Sequence, residues 1–190
     1  SQSHGVVGFN TESKLFGELL WGKDAEFKGD IGMSTDKDQG LWFYNHSGNF
    51  WYFNPHSQRF KKFNLIPNDL IRLIDYERFV VFIDSRNLIW ITTYGNGLFC
   101  YNPATETLQN FKYSSNSNSL ASDYLLSITE DRFGNIWIGS EYAGIIKIVR
   151  SEFDLQIIRP EKEASIGKSN NVRTILEDSS HHIWVGTKNG

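Results

Sequence analysis

Four tryptophans at near-equal spacing constrain this chain more than any other feature. Trp42, Trp90, Trp137 and Trp184 stand 48, 47 and 47 residues apart, and six residues before each lies an aspartate: Asp36, Asp84, Asp131 and Asp178. A unit recurring at that period implies a repeat architecture, in which each unit buries its apolar surface against the next. The last two units match best, "LLSITEDRFGNIWIGS" against "VRTILEDSSHHIWVGT". The second, "FVVFIDSRNLIWITTYGNGLFCYNP", is close, and the first, "DIGMSTDKDQGLWFYNHSGNFWYFNP", keeps the frame with more change.

Each unit reads as short strands. In the third, "LLSIT", "IWIGS", "IIKIV" and "FDLQIIR" are strands, and "DRFGN" and "EYAG" are turns. Short runs rich in Ile, Val, Phe and Tyr, bounded by Gly, Asn and Asp, are strands joined by hairpins. No long window keeps a helical period. Four antiparallel strands in a repeat of this length make a β-propeller blade, and an aromatic content of 15% suits pleated, half-buried surfaces. "IWIG" and "IWVG" read as strands buried on both faces, with the Trp as an apolar plate between wedge-shaped sheets. Gly139 and Gly186 mark close backbone approach. The Asp is expected to start the turn by accepting backbone N–H groups, with Gly134–Asn135 supplying positive φ. "FNP" (53–55) and "YNP" (101–103) end a third strand and begin the turn to a fourth.

The expected fold class is therefore all-β: a β-propeller with four-stranded antiparallel blades of about 47 residues, three whole blades plus two complementary half blades. The expected organisation is a single propeller segment over 1–190, with a half blade at 1–30, blades at 31–78, 79–125 and 126–170, and a half blade at 171–190. "GVVGFN" and "SKLFGELL" match third and fourth strands, while the last residues match a first and second. A piece of a longer propeller array, a closed four-bladed ring and half of an eight-bladed dimer all fit this pattern. The opening "SQSHG" reads as a processed or trimmed end. Open strand edges and an apolar blade face lead to an expectation of self-association, as a homodimer through blade edges.

Charge and motifs exclude several functions. The net charge is −3 with both signs spread along the chain, so no basic stripe argues for nucleic acid or anionic lipid. The single cysteine, Cys100, can form neither an internal disulfide nor a cysteine zinc site, and cysteine scarcity fits the cytoplasm or a periplasm alike. No Gly-x-Ser-x-Gly elbow, phosphate loop or dinucleotide fingerprint occurs. The acid pairs Glu130–Asp131 and Glu177–Asp178 contain the residue types of a glycosidase, but their repetition marks them as blade architecture, and no catalytic residue is assigned. His181–His182 are adjacent in a turn, without ligand spacing. "DKDQG" (36–40) only faintly resembles a calcium loop. No metal and no cofactor are expected. Asn45-His46-Ser47 is a glycosylation triplet.

Recognition is expected where the copies differ. The turns between second and third strands, "YNHSGN", "TYGNG", "SEYAG" and "TKNG", vary while the strands repeat. Their candidate ligand-binding residues are Tyr94, Asn96, Glu141, Tyr142, His46 and Lys188. Tyrosine rings stack on sugar faces through apolar C–H groups, and amides and acids bond hydroxyls, so these residue types would suit a sugar, such as an oligosaccharide. The simpler reading is that Tyr94 and Tyr142 cover the blade rim. The polar loop "SSNSNSLASD" is a second candidate surface.

"LLSITEDRFGNIWIGSEYAGIIKI" and "TTYGNGLFCYNPATETLQNFKYSSNSNSLASDYLLSI" resemble the two-component regulator propeller repeat: an Asp, a Gly-Asn-Ile-Trp-Ile-Gly core, a Gly-Leu pair, Tyr-Asn, and a polar loop ending in Asn-Ser-Leu. The resemblance covers about 31–190 and is strongest from 84 onward; the first copy lacks the Gly after Trp-Phe and the Gly-Leu pair. It implies the periplasmic sensor region of a Bacteroides-type hybrid two-component system, which senses oligosaccharides and regulates polysaccharide-utilisation genes. It also implies that the rest of the sensor protein, including histidine kinase activity, lies outside this segment. The segment itself would be non-catalytic; the alternatives are a propeller scaffold for protein–protein contact without a small-molecule site and, third, a propeller lyase or glycosidase.

Overall fold

The computed structural model describes residues 6–17, 27, 31–45, 48–66, 79–115, 119–149, 154–158 and 171–188. The chain divides into two compact units, Ser1–Ile71 and Arg72–Gly190. The first holds a hairpin, β1 (Gly8–Asn10) and β2 (Leu15–Gly17). It also holds a four-stranded sheet of β3 (Ile31–Thr35), β4 (Leu41–Asn45), β5 (Asn49–Asn54) and β6 (Arg59–Asn64). In the second, one sheet contains β7 (Val80–Ile83), β8 (Ile89–Thr92), β9 (Leu98–Asn102) and β10 (Thr107–Phe111). The next contains β11 (Leu125–Glu130), β12 (Ile136–Ser140), β13 (Ile145–Val149) and β14 (Asp154–Ile158), and a hairpin of β15 (Val172–Glu177) and β16 (Ile183–Thr187) follows. Within each sheet the strands pair antiparallel in sequence order, and no helix occurs among the described residues. These are the four-stranded antiparallel blades that the repeat implies.

The Asp and the Trp of each repeat turn out to be one device. One carboxylate oxygen, Oδ1, accepts the N–H groups two and four residues on. For Asp131 these are Phe133 and Asn135, both at 2.9 Å. The same pair of bonds is made by Asp36, Asp84 and Asp178. The second oxygen, Oδ2, accepts the indole N–H six residues on: Trp42 at 3.3 Å, Trp90 at 3.0 Å, Trp137 at 2.8 Å and Trp184 at 2.7 Å. The residue three after the Asp carries the left-handed backbone, at Gln39, Asn87, Gly134 and His181. A short hairpin needs that positive φ, so His181 holds a turn position where the third copy has glycine.

A second turn recurs after β1, β5 and β9. Asn10, Asn54 and Asn102 each accept the N–H two residues on, at 2.9 Å. The residue four after each is left-handed: Lys14, Gln58 and Glu106. The "FNP" and "YNP" pieces therefore do end a strand and open a turn.

Packing in the second unit follows from the apolar runs. The first strands β7, β11 and β15 lie in succession, each against the next. Between the first two sheets sit Trp90, Leu98, Cys100, Leu120, Leu125, Ile136, Ile138, Ile146 and Ile148. Between the second sheet and the β15–β16 hairpin sit Ile145, Val172 and Ile175, with Trp137 and Val185 packed alongside. A Cβ on Gly139 would strike Ser127 and the Val172 side chain, so this glycine does admit the next sheet. Gly186 similarly faces Thr174. The first sheet makes the opposite choice. Tyr44 stands at the glycine position, and Gly32, its direct cross-strand partner, leaves room for the ring. The copy that departs from the repeat pattern thus moves its glycine to the opposite strand.

The role of each tryptophan depends on what covers it. Trp90 is 0% exposed between two sheets, and Trp184 is 62% exposed. Trp90→Ala is expected to cost about 3–5 kcal/mol in urea unfolding, and Trp184→Ala about 1 kcal/mol or less. Equal losses would show that the indole–carboxylate bond, rather than burial, sets the energy.

The aspartates also make folding acid-sensitive. Burial acts to raise the pKa of Asp131, but bonds from the Trp137 indole, the Asn135 side chain and the Asn135 and Phe133 amides outweigh it and hold the carboxyl below the usual range. The Trp184 indole and the His182 amide lower Asp178 in the same way. A carboxyl lowered by folding stabilises the fold above its unfolded pKa, about 3.9, and loses that contribution as pH falls through the folded value. Urea midpoints are therefore expected to be flat near neutral pH and to fall below about pH 4. A midpoint that rose on acidification would contradict this.

Candidate functional site

Four of the six candidate residues occupy one position in the repeat. His46, Tyr94, Glu141 and Lys188 each follow a repeated Trp by four residues, at the start of the turn after the second strand. His46 lies outside the described residues. One residue earlier, in the first three copies, a small polar side chain folds the turn onto itself. Thr93 Oγ1 donates to the Gly97 carbonyl at 2.7 Å and accepts the Asn96 N–H at 3.1 Å. Ser140 Oγ donates to the Gly144 carbonyl at 2.8 Å and accepts the Ala143 N–H at 3.0 Å. Asn45 Oδ1 accepts the Asn49 N–H at 3.1 Å. Asn45 is buried in this role, which does not suit a glycan acceptor in the folded chain. Gly97 and Gly144 have positive φ, and a Cβ on Gly97 would meet the Phe111 carbonyl, which explains the glycine of the Gly-Leu pair.

The segment before β11 docks into this turn. The Gly95 and Gly97 N–H groups donate to the Asp123 carbonyl at 2.9 and 3.1 Å, and the Leu125 N–H donates to the Thr93 carbonyl at 3.0 Å. Leu120 is buried in the core beside Trp90. Residues 116–118 of the polar loop lie outside the described residues, while its second half serves as a blade-to-blade joint rather than an open surface.

Docking brings three tyrosines together. Tyr94 and Tyr124 meet edge to face with centroids 4.9 Å apart, and Tyr124 and Tyr142 do so at 5.5 Å. Tyr142 also shares a side-chain hydrogen bond with Tyr94, which raises its pKa above the ordinary tyrosine value. Tyr142 is 65% exposed and Tyr124 42%. The result is a compact aromatic platform with open ring surface, drawn from two turns and the segment joining their sheets. Tyr124 was not among the sequence candidates, because it lies in a joining segment and reaches the platform only through docking.

The remaining candidates have different roles. Asn96 is buried, and its carbonyl accepts from Asn110 Nδ2 at 3.3 Å. Lys188 is exposed and donates its backbone N–H to the Asn171 carbonyl at 3.1 Å. Glu141 is 8% exposed, so it lies beneath the platform rather than on it. The acid pairs are structural. Glu130 accepts the Ser85 N–H at 2.7 Å and the Ser85 hydroxyl at 2.6 Å, and Glu177 accepts the Arg132 N–H at 2.8 Å. Each glutamate therefore clips its sheet to the aspartate turn of the sheet before. His181 lies 3.4 Å from Glu177 and His182 3.2 Å from Asp178. No metal-binding group of His, Cys, Asp and Glu forms among the described residues. Burial pushes the Cys100 thiol up to about 12, which leaves it a packing residue.

The platform can be tested without a ligand. Tyr94→Phe removes the hydroxyl that raises Tyr142, so an alkaline titration followed by tyrosinate absorbance is expected to show one group returning toward about pH 10. An unchanged titration would show that the two hydroxyls do not meet.

The two component regulator propeller family model matches residues 119–142 and 166–189. Histidine kinase P4 of Formosa agariphila is 33% identical over 78 residues, which is 39% of this chain and 6% of that protein. The extracellular domain of BT4673 from B. thetaiotaomicron, described as a hybrid two-component system, superposes with a TM-score of 0.66 at 20% identity, over 98% of this chain and 24% of that one. Virginiamycin B lyase from Staphylococcus aureus superposes with a TM-score of 0.60 at 13% identity, over 94% of this chain and 55% of that one. This chain thus spans a small part of the kinase and of the BT4673 domain. The structural likenesses concern the propeller fold, which hosts unrelated functions. Over those two repeats, residues 119–142 and 166–189, the chain is similar to the two-component regulator propeller family.

Proposed function

We propose that this segment is a non-catalytic, ligand-recognising part of the extracytoplasmic sensor region of a hybrid two-component regulator. The tyrosine platform binds a glycan-derived ligand, and the whole regulator controls polysaccharide-utilisation genes. The observation that carries this reading is the platform: Tyr94 and Tyr142, from the varying turns of two successive repeats, meet Tyr124 of the joining segment, and Tyr124 and Tyr142 have ring surface open to solvent. Open tyrosine faces suit the apolar C–H faces of sugars, and the hydroxyls supply bonds at the edges. The acid pairs, which could have served hydrolysis, are engaged in turns and blade clips. The family match and the kinase relative support a place in two-component signalling. The periplasm is the compartment this reading assigns.

A second reading has an observation of its own. Tyr113, Tyr124 and Tyr142 are all exposed, and exposed tyrosines also anchor protein partners. Calorimetry of the chain against neutral and acidic oligosaccharides separates the two. The expected result is heat with at least one glycan, and an affinity about tenfold lower in Tyr142→Ala and Tyr124→Ala, the loss of about 1.4 kcal/mol expected of a stacked ring. No heat with any glycan would overturn direct glycan recognition by this segment and favour protein contact. Heat that both variants leave unchanged would move the site away from the platform.

A further inference from the structure

Glu141 is a buried carboxylate beside an exposed ring. It is 8% exposed, whereas Tyr142, the next residue, is 65% exposed. Its bonds run to two different elements. Its backbone N–H donates to the Tyr124 carbonyl at 2.9 Å, directly below the platform. Its Oε1 accepts from Asn171 Nδ2 at 2.5 Å, and its Oε2 lies 3.9 Å from Arg173 Nη2. Asn171 leads into β15, is itself buried, and accepts the Lys188 N–H after β16 at 3.1 Å. Burying a carboxylate is costly unless its bonds are made, and removing one partner leaves the other stranded.

These hydrogen bonds, joined through the covalent chain, form one path. It starts at the Gly95 and Gly97 N–H groups, which hold the Asp123 carbonyl, and passes through Tyr124 to Glu141. From there it continues through Asn171 to Lys188. The same backbone contact recurs one repeat later, since Lys188 donates to Asn171 as Glu141 donates to Tyr124. In the first of these two junctions a side-chain bond is added, from Glu141 into the following hairpin.

We propose that Glu141 is a positioning residue that couples the tyrosine platform to the β15–β16 hairpin, so that the setting of the rings and the seating of the hairpin depend on each other. The platform is then a property of successive repeats acting together, and a load on Tyr142 reaches the next blade through Glu141 and Asn171. The use of this coupling in sensing rests on the platform being the ligand site. The coupling itself belongs to the free chain and is tested there.

The test compares Asn171→Ala, Glu141→Ala, Glu141→Gln and their combinations, with Glu130→Gln as a control at a different blade contact. The readouts are the ring resonances of Tyr124 and Tyr142 and the hydrogen exchange of the Lys188 amide. Asn171→Ala, a change in the next repeat, is expected to shift the Tyr142 ring. Glu141→Ala is expected to speed Lys188 exchange about tenfold or more. The double variant should add little to either, because both substitutions break one connection. Glu141→Gln keeps an oxygen for Asn171 and should restore both signals, and Glu130→Gln should move neither. An unmoved Tyr142 ring in Asn171→Ala, or additive effects in the double variant, would overturn the proposal. If Glu141→Ala does not fold, Asn171→Ala and Glu141→Gln still decide it. No ligand enters the test, so a failed glycan screen leaves its outcome intact.

Discussion

A single carboxylate sets the geometry of each repeat. Its Oδ1 closes the turn on two amides and its Oδ2 fixes the indole six residues on, so the hairpin bend and the direction of the tryptophan plate are decided together. A free indole could rotate out of the gap between sheets. One held through its N–H presents the same edge to the turn in every copy, and leaves its faces for packing. Because both functions share one group, substituting the Asp would release the turn and the plate at once. That shared dependence accounts for the constant interval of six residues.

The repeats tolerate change where a neighbour can compensate for it. Gly139 makes room for Ser127 and Val172, whereas in the first sheet Tyr44 takes the large position and Gly32 the small one. The condition is combined cross-strand volume, which a pair can meet in either order. Blade clips follow a similar rule. Glu130 and Glu177 end their first strands at matching positions and reach the turn of the preceding sheet, while Thr35 and Ile83 stand at the same place in the other copies. Acid pairs with the composition of a hydrolase site thus serve as turn former and clip.

The candidate site illustrates how recognition surfaces arise on repeat folds. The strand framework is nearly invariant, so variation gathers in the turn four residues past each Trp, where a tyrosine, a glutamate and a lysine stand in successive copies of the second unit. The tyrosine gains its partners from the joining segment and the next turn. The glutamate turns inward instead, and holds the next hairpin. Equivalent positions have therefore taken different tasks, one at the surface and one beneath it.

Much of the fold was legible in the sequence because its causes are local. Period, strand alternation and Gly-Asn turns depend on neighbours within one unit, and Asp, Trp and Asn recur where hairpin geometry requires them. The Asp–Trp bond was less legible, since a turn role and a packing role each explained one residue without the other. Tyr124 is not legible because a joining segment carries no repeat signal of its own, and the burial of the candidates Glu141 and Asn96 is not legible because sequence distinguishes polar from apolar more readily than it shows what lies over a side chain. The sequence by itself determined the all-β repeat, the strands and their turns, through contacts within one repeat unit. Only the tertiary structure decided which tyrosines meet, which acids clip adjacent sheets and which tryptophans are covered, because those depend on residues from different repeats brought together when one sheet packs on the next, such as Ser85 with Glu130 and Glu141 with Asn171.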